Sequence, residues 1–168
     1  MKNHFELFGL TPAFALEADS LERSYHGIQA RIHPDRHAHA GDAERRASMQ
    51  WTTRVNEAYR TLKSPVQRAK YLLEMNGVDV GFETNTQMPT DFLLRQLELR
   101  ETLAGAKQPA ALDELLAEVR REQRLLVQGI AQLIDGSKDY AAAAGEVRKL
   151  MFLDKLAAEI DLAYDGVD

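Results

Sequence analysis

The chain has 168 residues, of which 45% are hydrophobic and 28% are charged, a composition typical of one medium-sized or two small globular domains. It contains no cysteine, which excludes disulfides, thiolate catalysis and thiolate ligation of an iron–sulfur cluster. Because it also lacks a membrane-length apolar run and a signal-peptide core, we expect a soluble, cytoplasmic protein with no membrane partner.

Charge is distributed unevenly along the chain. Residues 1–76 carry 11 Lys/Arg, 9 Asp/Glu and all five His, whereas residues 77–168 carry 10 Lys/Arg and 17 Asp/Glu. This asymmetry indicates two surfaces that meet different partners, although acidic helices can also serve solubility alone. No face combines dense basic charge with aromatic residues, so nucleic-acid binding is not expected.

An apolar period near 3.6 predicts four helices in the first half, near residues 3–8, 20–33, 42–63 and 65–75. Asp19 or Ser20 is expected to cap the second of these. The buried stripe of the second helix is predicted to be Leu21, Tyr25, Ile28 and Ile32, and that of the third Ala47, Trp51, Val55, Ala58 and Leu62.

The tripeptide His33-Pro34-Asp35 stands where the second helix ends. Pro34 ends the helix because the residue before a proline is pushed out of the α region. The proline also stiffens the turn, which reduces the entropy lost on docking, and the Asp35 carboxylate can accept a bidentate bond from a partner arginine. The tripeptide therefore predicts a recognition site, the alternative being an ordinary solvated turn.

The second half begins with residues 77–90, whose Gly, Pro, Thr and Asn content and lack of periodicity predict a linker. Helices are predicted near residues 91–105, 109–134 and 138–164, and their short connections favour an antiparallel three-helix bundle. In the last helix the expected buried stripe is Val147, Leu150, Leu153, Ala157, Ile160 and Tyr164, while Phe152 points roughly 90–110° away.

The first helix of the predicted bundle has two apolar faces. Phe92, Leu99 and Leu103 share one direction, whereas Leu93, Leu94, Leu97, Glu98 and Glu101 lie on roughly the opposite side. A small bundle buries only one face well, so we expect the face with two carboxylates to be exposed as a binding surface. The alternative is that all of these leucines belong to the core.

A metal site is a second interpretation of the tripeptide region. His33, Asp35, His37 and His39 alternate within one short segment, and imidazole with carboxylate can bind zinc or nickel. No second cluster completes the ligand set and no general base is evident nearby. Metal-dependent catalysis is therefore the weaker hypothesis, and we expect no metal and no cofactor.

In these patterns, the chain resembles a J-domain. The resemblance rests on residues 5–10, on the stripe that ends in the tripeptide and Arg36, and on residues 55–62. Three further blocks, at residues 68–73, 96–101 and 148–156, resemble the HscB family of J-type co-chaperones of iron–sulfur cluster assembly.

The resemblance implies an all-α protein with a J-domain at residues 1–76, a linker at 77–90 and a scaffold-binding three-helix bundle at 91–168. It also implies that the chain is not itself an enzyme. The J-domain would stimulate the ATPase of a dedicated DnaK-type, HscA-like chaperone, and the bundle would deliver an IscU-like scaffold protein to it. The implied chaperone-binding residues are Arg23, His26, Arg31, His33, Pro34, Asp35 and Arg36. The implied scaffold-binding residues are Leu93, Leu94, Leu97, Glu98, Glu101 and Phe152.

The basic face before the tripeptide is thin, and Glu22 lies within it. Arg45, Arg46 and Arg54 on the next helix can compensate or can form only surface ion pairs. This departure from many J-domains favours a specialised chaperone partner. A generic J-protein that serves unfolded clients remains the alternative.

Overall fold

The computed structural model describes residues 1–32, 41–81 and 88–167. Its secondary structure within these ranges is helical, and contacts divide the chain into two units, Met1–Leu72 and Leu73–Asp168. No helix of the described part is long and apolar enough to cross a bilayer. The helices are α1 (His4–Leu7), α2 (Ala18–Arg31), α3 (Asp42–Lys63), α4 (Pro65–Met75), α5 (Thr90–Gly105), α6 (Pro109–Ala131) and α7 (Tyr140–Ala163).

The short helix α1 is held by reciprocal capping bonds. The Asn3 side chain accepts from the backbone N–H of Glu6 at 2.9 Å, and the Glu6 carboxylate accepts from the backbone N–H of Asn3 at 3.2 Å. This capping box satisfies N–H groups that a helix start leaves without intrahelical partners. Gly9, with φ 67°, follows in the left-handed region that favours glycine.

Helix α2 starts two residues before the predicted position, at Ala18. The prediction that Asp19 or Ser20 caps it is therefore wrong: Glu17 is the N-cap residue and no side chain caps the helix. The Ser20 hydroxyl instead donates to the Glu17 carboxylate at 3.0 Å. The predicted apolar stripe of α2 is confirmed, with Leu21 and Ile28 buried and its other two members partly buried.

Helix α3 has the predicted bounds, but only part of its predicted stripe is buried. Val55, Ala58 and Leu62 are inaccessible, whereas Ala47 is exposed and Trp51 keeps 36% of its surface in contact with solvent. The expectation that Ala47 and Trp51 belong to the core was wrong. A periodic pattern defines a face, but that face is buried only along the length that neighbouring elements cover.

A buried arginine joins the segment before α2 to the end of α3 in the first unit. Arg68, on α4, donates from Nε to the carbonyl of Phe14 at 2.8 Å and from Nη1 to the carbonyl of Leu62 at 2.7 Å. Its guanidinium also lies 4.9 Å from the centre of the Phe14 ring. These contacts compensate for the removal of a charge from water, and they hold the start of α4 against the end of α3.

The second unit contains an antiparallel bundle of α5, α6 and α7. A π-helical turn at Gln132–Gly136 follows α6, which ends at Ala131 and so earlier than predicted. Asp139 then caps α7 by accepting from the backbone N–H of Ala142 at 3.2 Å. The core between the three helices consists of Leu99, Leu112, Leu115, Val119, Leu153, Leu156, Ala157 and Ile160.

Candidate functional site

The tripeptide and its neighbours lie outside the described residues. This applies to His33, Pro34, Asp35 and Arg36, and equally to His37 and His39 of the metal hypothesis. Within the described ranges, no group of three or more His, Cys, Asp or Glu side chains is placed to hold a metal ion. The structure therefore describes the helix that leads to the tripeptide, up to Ile32.

Three predicted chaperone-binding residues lie on α2 and are exposed. Arg23 donates to the Ser20 hydroxyl at 3.3 Å, and Arg31 donates from Nε to the carbonyl of Gly27 at 3.3 Å. His26 Nε2 lies 3.4 Å from the Glu22 carboxylate, with 68% of its side chain accessible. Each of these contacts stays within α2, so the three groups remain accessible to a partner.

Glu22 connects α2 to α3. The Tyr59 hydroxyl donates to its carboxylate, and Lys63 Nζ lies 3.8 Å from the same carboxylate. The bond from Tyr59 is the largest cause that holds the pKa of the Glu22 carboxyl below its ordinary value, and Lys63 and His26 act in the same direction. Glu22 thus places a negative charge within the basic face and uses it to join two helices.

A stacked tyrosine pair strengthens the same helix pair. The rings of Tyr25 and Tyr59 lie 3.8 Å apart at an angle of 7°. The Tyr25 hydroxyl donates to the Asn56 side chain at 2.7 Å and accepts from the Gln29 amide at 2.7 Å. Sequence reasoning assigned Tyr25 to the apolar stripe and missed this network. The available signal was a tyrosine hydroxyl on an otherwise aliphatic face, since a half-buried hydroxyl needs a partner.

On α5 the structure separates the two faces that the sequence suggested. Leu99 is 1% accessible, whereas Leu93, Leu94 and Leu97 are 43%, 58% and 58% accessible. Glu98 and Glu101 are exposed beside them, and we refer to these five residues as the leucine face. Because the opposite side of α5 packs into the bundle, the leucine face is not needed to close the core.

An ion-pair network holds α5 against α6. Arg95 Nε donates to Glu122 at 2.8 Å, its Nη1 donates to Glu98 at 3.1 Å, and its Nη2 donates to Glu118 at 3.2 Å. The bond to Glu122 is the largest cause that raises the pKa of the Arg95 guanidinium. The role of Arg95 was not predicted from the sequence, although a cation near the acidic residues of a neighbouring predicted helix was a signal. One carboxylate of the leucine face, Glu98, is thereby held in a defined position.

Phe152, the remaining predicted scaffold-binding residue, lies on α7 and is partly buried. Its ring centre is 6.3 Å from that of Phe92 on α5, at an angle of 61°. This edge-to-face contact is a favoured aromatic geometry. Phe92 directly precedes Leu93, so the structure brings Phe152 to the helix that carries the leucine face.

Comparisons with known proteins agree over nearly the whole chain. The family described as the HSCB C-terminal oligomerisation domain matches residues 88–161. The "Co-chaperone protein HscB homolog" of Ralstonia nicotianae is 52% identical over 98% of this chain and 96% of that protein. The homolog of Burkholderia vietnamiensis is 49% identical over 99% and 96% of the two chains.

Solved structures show the same similarity in three dimensions. Chaperone HscB from Vibrio cholerae superposes with a TM-score of 0.88 and 34% identity, covering 99% of this chain and 100% of that one. The human co-chaperone protein HscB superposes with a TM-score of 0.93 and 26% identity, covering 97% and 82% of the two chains.

Proposed function

The chain belongs to the HscB family of co-chaperones, and we propose that it serves two partners through two separate surfaces. The first surface, around the tripeptide and α2, stimulates ATP hydrolysis by a dedicated DnaK-type chaperone of the HscA kind. The second, the leucine face with Phe152, holds an iron–sulfur scaffold protein of the IscU kind. The chain acts as an activator in the cytoplasm and catalyses no reaction itself.

The observation that carries this proposal is the exposure of three leucines on α5. Fully burying one leucine side chain contributes about 1.5–3 kcal/mol. About half of that apolar surface is still accessible on Leu93, Leu94 and Leu97, at 43–58%. A contiguous apolar patch edged by carboxylates is typical of a protein-binding surface.

Electrostatics supports the orientation of the scaffold on this surface. Glu98 and Glu101 provide negative charge at the edge of the leucine face. Charges at the rim of an interface mainly accelerate association and select the orientation, while the apolar centre supplies affinity. Because Arg95 joins α5 to Glu118 and Glu122 of α6, the face is presented on a helix that does not have to be ordered on binding.

The chaperone surface is supported by the rigidity of the helix that leads to the tripeptide. The Tyr25–Tyr59 stack and the bonds to Glu22 fix α2 against α3. Arg23, His26 and Arg31 are exposed on α2 and supply positive charge. In this proposal Asp35 accepts from an arginine of the chaperone, and His33, Pro34 and Arg36 complete the contact.

Steady-state ATP turnover of an HscA-type chaperone tests the proposal. We expect this chain to raise the turnover rate, and an IscU-type scaffold to raise it further when both are present. A general DnaK chaperone assayed in parallel distinguishes the generic J-protein alternative. No stimulation of the HscA-type chaperone, or equal stimulation of DnaK with no effect of the scaffold, would contradict the proposal.

A further inference from the structure

Unit Met1–Leu72 contains a cleft of about 470 Å³, and among its lining residues Arg31 is shared with the proposed chaperone surface. Its volume lies within the range of about 300–1,000 Å³ that is usual for ligand sites. The cleft is bordered by α1, by the C-terminal half of α2 and by one side chain of α3. Its lining includes Lys2, Leu7, Ile28, Arg31, Ile32 and Trp51.

Trp51 is the distinctive wall of this cleft. It is the single tryptophan of the chain, and it is 36% accessible although its position in the α3 stripe predicted burial. The Arg54 guanidinium lies 5.9 Å from the indole centre and also donates to the carbonyl of Lys2. Arg54 therefore joins the indole to the N-terminal segment. Tryptophan is among the residue types most enriched at the energetic centres of interfaces.

The charge of the cleft is positive. Lys2 and Arg31 are exposed at the cleft, and within the described part of the chain neither side chain forms an ion pair. The one lining carboxylate, that of Glu6, accepts bonds of 3.2 Å from both the backbone N–H and the side-chain amide of Asn3. The cleft thus combines apolar walls with two cations and a carboxylate that is already engaged.

We propose that this cleft binds an extended segment of the DnaK-type chaperone in which an aliphatic or aromatic side chain stands beside a carboxylate. The apolar side chain packs against Trp51 and Ile28, and the carboxylate pairs with Lys2 and Arg31. The chaperone is the occupant because Ile32, which lines the cleft, directly precedes His33 of the tripeptide in sequence. This inference rests on the proposed function.

The single tryptophan allows a direct test by fluorine NMR. Protein containing 5-fluorotryptophan gives one resonance, from Trp51, and the ATP-bound HscA-type chaperone is added unlabelled. We expect that resonance to shift or broaden with the chaperone and to remain unchanged with an IscU-type scaffold alone or at higher concentrations of the chain itself. A response to the scaffold, or to self-association, would identify a different occupant and overturn the inference.

Substitutions in the cleft measure its contribution to chaperone binding separately from that of the tripeptide. Trp51→Ala is expected to raise the concentration of the chain needed for half-maximal ATPase stimulation about 10-fold. Lys2→Glu is expected to raise it about 3-fold. Both variants retain the maximal rate, because the tripeptide is intact. The control for Trp51→Ala is Met49→Ala, because the Met49 side chain lies on α3, is 68% exposed and is outside the cleft lining. The control for Lys2→Glu is Lys138→Glu, which makes the same change of charge in the other unit.

The outcomes distinguish this inference from the proposed function. If the unmodified chain fails to stimulate the chaperone, the proposed function itself is contradicted. If it stimulates and Trp51→Ala is as effective, or Met49→Ala is equally impaired, the cleft is not the binding site. Thermal denaturation of Trp51→Ala checks folding, and the fluorine resonance of Lys2→Glu reports on the cleft with the tryptophan intact.

Discussion

The two proposed surfaces are built from different interactions. On the first unit, polar and charged side chains join α2 to α3, with Glu22 contacting Tyr59 and Lys63. On the second unit, the surface consists of leucines on one side of α5 whose other side is buried in the bundle. In the proposed function, one small chain therefore meets two partners through different interactions, with basic side chains on α2 for the chaperone and apolar area on α5 for the scaffold.

On α5, the leucines that stabilise the fold differ from the leucines that are proposed to bind the scaffold. Leu97 is 58% accessible and Leu99 is 1% accessible, although the two residues stand on the same helix. Truncating Leu99 leaves a cavity inside the bundle, whereas truncating Leu97 removes surface that is largely in contact with water already. If the two surfaces are independent, a substitution in one should leave the partner of the other bound.

The largest expected effect is that of His33→Gln. We expect this substitution to abolish stimulation of the chaperone ATPase, because in the proposed function the tripeptide provides the contact that activates the chaperone. Scaffold affinity should remain within twofold of the unmodified chain, since the leucine face is untouched. ATP turnover and titration calorimetry measure the two properties. Retained stimulation would show that the activating contact lies elsewhere.

The double substitution Leu93→Ala with Leu97→Ala is expected to weaken scaffold binding by about 30-fold or more, because it removes two central apolar side chains. Its free energy of unfolding should fall by less than about 1 kcal/mol, because both side chains are already accessible.

Leu99→Ala is the matched control for this double variant. Because it truncates a buried leucine, it should lower the free energy of unfolding by about 2–5 kcal/mol in urea denaturation. A double variant as unstable as Leu99→Ala would mean that Leu93 and Leu97 belong to the core.

Salt should slow association with the chaperone more than association with the scaffold. In the proposed function, association with the chaperone depends on Arg23, His26 and Arg31, so we expect its rate to fall about 10-fold between 0.01 M and 0.3 M salt. Association with the scaffold should change less, because the centre of the leucine face is uncharged. Stopped-flow measurements give both rates. A chaperone association rate that does not depend on salt would remove the role assigned to the basic residues.

The smallest expected effect concerns Glu22. Its pKa lies below the ordinary value of 4.5 in the folded protein, so the stability that it contributes is present at neutral pH and is lost as the pH falls through the folded pKa. Glu22→Gln should therefore lower the melting temperature at pH 7, and the difference from the unmodified chain should shrink as the pH falls below the ordinary value of 4.5. A difference that is constant with pH would contradict the ionic role.

Local features of the structure followed directly from the sequence. The bounds of α3 and α4 are those predicted, because Pro65 occupies the first position of α4 and Gly41 is the N-cap residue of α3. The two faces of α5 were also predictable, since the direction of a side chain on a helix depends only on its position in the sequence. The function assigned to the leucine face is, by contrast, a proposal for which geometry provides the support.

Features that depend on neighbouring helices could not be predicted in this way. The exposure of Trp51 depends on how far the elements around α3 extend, and the bonds of Arg95 to Glu118 and Glu122 depend on the alignment of α5 with α6. The start of α2 was misplaced because Asp19 and Ser20 are good capping residues that lie inside the first turn here.

The central claim is that one chain binds the chaperone and the scaffold at once through residues that the two interactions do not share. Sedimentation velocity of the chain with an HscA-type chaperone in its ATP state and an IscU-type scaffold, each carrying a different absorbing label, tests it most directly. We predict one complex containing all three labels, from which His33→Gln removes only the chaperone and the double leucine variant removes only the scaffold. Displacement of one partner by the other, or loss of both in either variant, would contradict the claim.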